Sequence, residues 1–148
     1  MTVEVFADIW CPYAHVGIRR FVQQRLATAR NNLVNDAYAR GLRIGERASL
    51  AVRDALFERG ADISDRAVLD SLRADLALGP ADPDARWHVL ADWAEGRRRG
   101  VVGSPHFFVG DDSFFCPALQ IDRADGRRLV RMDPRRFDDF FARCATAA

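Results

Sequence analysis

Strand-forming sequence stands at the two ends of this chain, and that placement limits the folds open to it. Residues 3–7 make a compact apolar run with β-branched and aromatic members, too short for a helix. Toward the other end, His106-Phe107-Phe108-Val109, then Gly110-Asp111-Asp112, then Ser113-Phe114-Phe115-Cys116 reads as a β-hairpin. The middle of the chain carries helical spacing instead. A sheet has to be assembled from the two ends around a helical excursion, with the run 3–7 expected at its centre.

The helices have their own signals. Pro12 suits a first helical turn, and Val16, Ile18, Phe21, Val22 and Leu26 supply an apolar stripe behind it. Over 42–57 the apolar positions fall three and four apart, and Gly60 follows as a C-terminal cap would. Ser64 and Asp65 can start a further helix carrying Val68, Leu69, Leu72 and Leu76 to a stop at Gly79-Pro80. Asp82-Pro83 starts another, with Trp87, Leu90, Ala91 and Trp93 on one flank, expected to pack inward, and Gly100 past its end. Asp133-Pro134 caps a last helix in which Phe137, Phe140 and Phe141 can cover the sheet, with Cys144 as filler. The fold class is α/β, a sandwich interrupted by a helical insertion. A parallel partner strand should follow the first helix, yet residues 27–45 offer only Leu33-Val34 as an apolar seed. Either that strand is vestigial, or chain is missing near Arg30-Asn31 and Tyr38.

Composition removes whole classes of chemistry. All 22 basic residues are arginine, so Schiff-base catalysis, a phosphate-loop lysine and a lysine nucleophile are excluded. With a net charge of +1 and acids interspersed among the arginines, no positive stripe is laid out for a nucleic acid. The run Arg97-Arg98-Arg99 before Gly100 reads as a solvated helix end, with anion binding as the second reading. Three cysteines and three histidines show no metal-ligand spacing, so no metal site is expected. No basic leader and no apolar run of the ~20 residues that span a membrane is found, so no membrane partner is expected and the default address is the cytoplasm, where thiols stay reduced. The oligomeric state has no signature.

Cys11 is the residue with chemical potential. It falls where a strand ends and a helix begins, and there the helix dipole and unpaired N–H groups stabilise a thiolate. The plainer alternative is a buried cysteine acting as a small hydrophobe. Pro105, opening a strand after Gly103-Ser104, suits a cis turn that exposes backbone, against an ordinary trans proline starting a strand.

The stretch Asp8-Ile9-Trp10-Cys11-Pro12-Tyr13-Ala14-His15-Val16-Gly17 resembles the active-site segment of the DsbA-like family, including its FrnE-type members. Gly100-Val101-Val102-Gly103-Ser104-Pro105-His106-Phe107-Phe108-Val109 is similar to that family's cis-proline loop. The resemblance implies a single DsbA-like domain over 1–148, thioredoxin-like in about 1–30 and 101–148, with a helical insertion over about 36–100. It implies a thiol–disulfide oxidoreductase in which Cys11 attacks and the backbone of Ser104 and Pro105 holds an extended substrate; beside the thiol, Trp10, Pro12 and Tyr13 are further substrate-binding candidates. The family's second cysteine is replaced by Ala14, so the chemistry is expected to be monothiol, on disulfide-containing or small thiol substrates. No tightly bound cofactor is implied, but a small thiol such as glutathione or mycothiol could act at the site.

The Cys11-Pro12-Tyr13 start also resembles 2-hydroxychromene-2-carboxylate isomerases and kappa-class glutathione transferases, which makes a glutathione-dependent isomerase or transferase the enzymatic alternative. A redox-inactive peptide-binding module is the other. His15, four residues along the helix, can tune Cys11 or sit at the surface. His106 borders the site or faces away, as strand alternation decides. Cys116 is a candidate resolving thiol, although two strand spacings put it roughly 9.6 Å from Cys11, beyond the ~7 Å Cα separation that a disulfide bridges.

Overall fold

The computed structural model describes residues 3–29, 43–79 and 85–146. In chain order these form β1 (Val3–Phe6), α1 (Pro12–Ala29), α2 (Arg43–Phe57), α3 (Arg66–Asp75), α4 (Ala85–Arg98), β2 (His106–Val109), β3 (Asp112–Phe115), β4 (Leu119–Ala124), β5 (Arg127–Met132) and α5 (Pro134–Thr146). The described residues are mixed α/β, with two small antiparallel sheets among them. Its chain divides into two compact units, Met1–Val22 with Gly96–Ala148, and Gln23–Glu95. These boundaries fall inside α1 and α4, whereas the sequence suggested breaks at about 30, 36 and 100. Among the described residues, no helix is long and apolar enough to cross a membrane.

The strand-bearing unit is built on a sheet of order β1-β2-β3. β1 is not central: among the described residues its one neighbour is β2, with Phe6 opposite His106, and Val5 is exposed. The parallel strand sought near Leu33-Val34 lies outside the described residues. β2 is buried along its whole length and turns into β3 through Gly110-Asp111. The φ of +62° at Gly110 is the first-position geometry of a two-residue hairpin that follows the twist of its strands.

Alternation gives this sheet two different faces. Phe107 and Phe114 face helices: Phe107 lies 4.9 Å from Phe140 and 5.8 Å from Phe21 between ring centroids, and Phe114 lies 5.1 Å from Phe140. Phe107, Phe137 and Phe140 are fully buried, so α1 and α5 close an aromatic core on this side. Asp133 caps α5, accepting from the Arg136 N–H at 3.0 Å. The opposite face carries His106, stacked on Phe108 at 4.8 Å, and Phe6, edge-on to Phe108 at 5.8 Å. Arg99 lies 3.8 Å over the Phe108 ring and pairs with Glu4. The arginine run is therefore not a solvated helix end throughout, because Arg99 folds back onto an aromatic ring. Gly103 sits so close to Phe115 that a Cβ there would meet the ring at 2.5 Å.

β4 and β5 form a second hairpin that the sequence reading did not register. It turns through Asp125 and Gly126, both at positive φ, 51° and 75°. This is the Asp-Gly turn that favours two-residue hairpins. The ribbon is anchored at its base, where Leu119 is buried and the Asp133 N–H donates to the Ala118 carbonyl at 3.1 Å.

In the other unit, α2 ends before Gly60, whose φ is +64°. Asp65 caps α3, accepting from the Ala67 N–H at 2.8 Å, and Ile63 and Leu72 are buried. The helix stops at Asp75, short of Gly79-Pro80, because Ala77 takes a φ of +52° and Leu78 N–H turns back to the Arg73 carbonyl at 3.0 Å. Arg53 on α2 is fully buried and donates one turn back to the Ser49 carbonyl at 3.2 Å. Trp87 and Trp93 on α4 correct another expectation. They are 66% and 62% exposed, with Val89 and Leu90 exposed beside them, so they do not pack inward. On α1, Val16 is likewise exposed while Ile18 and Val22 are buried, narrowing the stripe that the spacing suggested. Leu26 in that stripe lies outside the described side chains.

Candidate functional site

The link from β1 to α1 is shaped by Asp8. Its carboxylate accepts from the Trp10 N–H at 3.0 Å and its carbonyl from the Cys11 N–H at 3.3 Å, a side-chain-supported turn of the kind aspartate favours. The Cys11 carbonyl then accepts the His15 N–H at 3.1 Å. Cys11 is thus the N-cap residue of α1 and Pro12 its first helical residue, where proline's missing N–H costs no hydrogen bond. The Cys11 sulfur lies at the positive end of the α1 dipole.

Ser104 ties this turn to the strand side. Its hydroxyl accepts from the Asp8 N–H at 2.9 Å, and its carbonyl accepts from the Cys11 thiol at 3.2 Å. The Ser104–Pro105 peptide bond is cis. The Pro105 ring is fully buried, and a Cβ on Gly17 would come within 3.1 Å of its Cγ, so α1 packs closely on the proline. The Pro105 carbonyl accepts from the Cys116 N–H at 2.9 Å. Cys11 and Cys116 are therefore clipped to successive carbonyls of one segment, and neither cysteine is in a disulfide.

The structure places the other candidate residues as follows. The carbonyls of Ser104 and Pro105 each accept one hydrogen bond from within the chain, and the Pro105 ring is buried. Trp10 is 59% exposed beside the half-buried thiol, Pro12 is exposed, and Tyr13 is half-buried. His15, for which a surface position was one expectation, is 7% exposed.

His106 faces away from the thiol. Its Nδ1 accepts from the Val102 N–H at 3.3 Å, which leaves the proton on Nε2, a buried atom with no hydrogen-bond partner. Burial first, and the charge of Arg99 second, hold the His106 pKa below the ordinary imidazole value, so the ring is neutral at pH 7.

No family model, curated protein or solved structure matches this chain. The site stands on its own geometry, and two of the chain's thiols ionise late. Burial pushes Cys144 up to about 11. Cys116 is pushed to about 11, by burial first and by the nearby Cys11 second, with Arg136 opposing them. A thiol that ionises so late is a poor nucleophile at neutral pH. Ala14, the position three residues after Cys11, is fully buried.

The sequence reading missed Asp8 as a turn-former and the Ser104 hydroxyl as its tether. The first had a local signal, an aspartate two residues ahead of the N–H it binds. The second had none, since Asp8 and Ser104 lie 96 residues apart.

Proposed function

We propose that this protein carries out thiol–disulfide exchange through Cys11, as a monothiol relative of the DsbA-like thioredoxin-fold enzymes working in a reducing compartment. The observation that carries the reading is the Cys11 thiol at the N-cap of α1, held 3.2 Å from the carbonyl of Ser104 beside Pro105. A sheet with α1 and α5 on one face supports the same fold reading.

In the reaction, the Cys11 thiolate attacks one sulfur of a substrate disulfide. A new S–S bond forms, the substrate S–S bond breaks, and the departing sulfur takes up the proton. Trp10 offers an exposed aromatic surface next to that bond for an apolar part of the substrate. With alanine at position 14, the mixed disulfide is not discharged by a neighbour on the same helical turn. The second thiol must come from another part of the chain or from a small molecule such as glutathione or mycothiol.

Competitive alkylation with iodoacetamide at pH 7, read peptide by peptide, tests the assignment. Cys11 is expected to label roughly tenfold or more faster than Cys116 and Cys144. Catalysed reduction of a glutathione mixed disulfide should vanish in Cys11→Ser. Equal labelling of the three cysteines, or turnover that survives that substitution, overturns the reading.

A further inference from the structure

We propose that Cys116 is the second redox thiol of this site and discharges the Cys11 mixed disulfide by closing a Cys11–Cys116 bridge. The inference rests on the thiol–disulfide reading above and names the resolving group that Ala14 leaves unassigned.

The geometry points to Cys116 on three counts. First, the Cys11 thiol and the Cys116 amide bond to the carbonyls of adjacent residues, Ser104 and Pro105. The sequence count of two strand spacings follows the line of β1, but the turn at Asp8 brings the Cys11 sulfur to the Ser104 carbonyl, two residues before β2.

Second, the contact that parks the Cys11 sulfur depends on its proton. That bond is given up when the thiol ionises to attack, and in the mixed disulfide the sulfur still has no S–H to give the Ser104 carbonyl, so the side chain stays released from that anchor. Third, burial, the larger cause, keeps Cys116 a late-ionising thiol and makes its attack the slow step, but the charges around it change in the required direction. Cys11 as an anion opposes ionisation of Cys116, whereas Cys11 in a disulfide is neutral. Arg136, which donates to the Phe115 carbonyl at 2.9 Å, leaves a positive charge beside Cys116 that favours its thiolate.

The exchange balances without another reagent. The Cys116 sulfur attacks the Cys11 sulfur of the mixed disulfide, the bond to the substrate sulfur breaks, and the proton from Cys116 ends on the departing thiol. Over both steps one substrate disulfide is reduced to two thiols while Cys11 and Cys116 are oxidised to one disulfide. Two equivalents of a low-molecular-weight thiol reverse the oxidation.

Cys144→Ser protein mixed with equimolar 5,5′-dithiobis(2-nitrobenzoate) gives the test, since Cys144 takes no part. Two thionitrobenzoates per chain are expected, the second at a rate independent of protein concentration, with a Cys11–Cys116 linked peptide in the digest. Adding Cys116→Ser should leave one release and a lasting adduct on Cys11. A lasting adduct in Cys144→Ser itself, or no linked peptide, overturns the proposal even if the Cys116 variant fails to fold. Rapid uptake at Cys11 with a persistent adduct sinks this inference alone, whereas no uptake at Cys11 sinks the proposed function with it.

Discussion

β2 and β3 turn through Gly110-Asp111, and β4 and β5 turn through Asp125-Gly126, so both hairpins close in two residues with a positive φ in the turn. Beyond the turn they diverge. β2 is buried at all four positions and its alternate side chains feed two packed faces, while β5 is exposed at all six. The first hairpin is held by what lies above and below it. The second is held by its turn, its own ladder and an anchor at Leu119. The proposed site gathers on the first, because Ser104 and Pro105 lead into β2 and Cys116 leaves β3. A site needs its parts fixed to a fraction of an ångström, and packing from both sides supplies that.

Substitutions can break this contrast. Phe107→Ala, at the centre of the Phe21, Phe140 and Phe107 cluster, is expected to cost about 3–5 kcal/mol in denaturant unfolding. A loss no larger than that of a surface residue would mean the first hairpin is not core-held. Gly103→Ala should cost about 1–3 kcal/mol, because its Cβ would strike Phe115 at 2.5 Å. It should also slow Cys11 alkylation by shifting Ser104, a change that thermal melting alone would not report.

A pH series sharpens the comparison of faces. His106 is buried neutral with its pKa lowered, so the unfolded chain binds its proton more readily than the folded one does. The stability this group contributes is fully present above the unfolded value near 6.5 and is lost as pH falls through the lowered folded value. Unfolding free energy should therefore drop less between pH 7 and pH 5 in His106→Gln than in the unaltered protein. Equal slopes would show that the ring titrates freely. The smallest effect is expected at Leu129→Ala on exposed β5, within about 0.5 kcal/mol. A larger loss would reveal that the ribbon is packed against something.

The same contrast explains what could be read in advance. The first hairpin was legible because Phe107, Phe108 and Val109 stand between turn residues on either side. The second was not, since Arg123, Arg127, Arg128 and Arg131 dilute its apolar pattern, although Asp125-Gly126 carried the turn signal. At the site, Cys11 ahead of Pro12 and Ser104 ahead of Pro105 were visible as local chemistry. That Trp87 and Trp93 face solvent, or that Arg99 folds onto Phe108 rather than into water, was not. A helix stripe states which residues share a side and is silent on whether anything covers it.

Caps and turns were written in the sequence itself: Asp65 and Asp133 at helix starts, Gly110 and Asp125-Gly126 at reversals, and a cysteine ahead of a helix-opening proline. Each depends on bonds made within a few residues, so a short window contains both partners. Only the tertiary structure decided that Ser104 would hold both Asp8 and the Cys11 thiol, that His106 would turn inward onto Phe108, and that Cys116 would share a segment with Cys11. Those outcomes depend on groups many residues apart and on which surfaces lose water, and no local pattern records either.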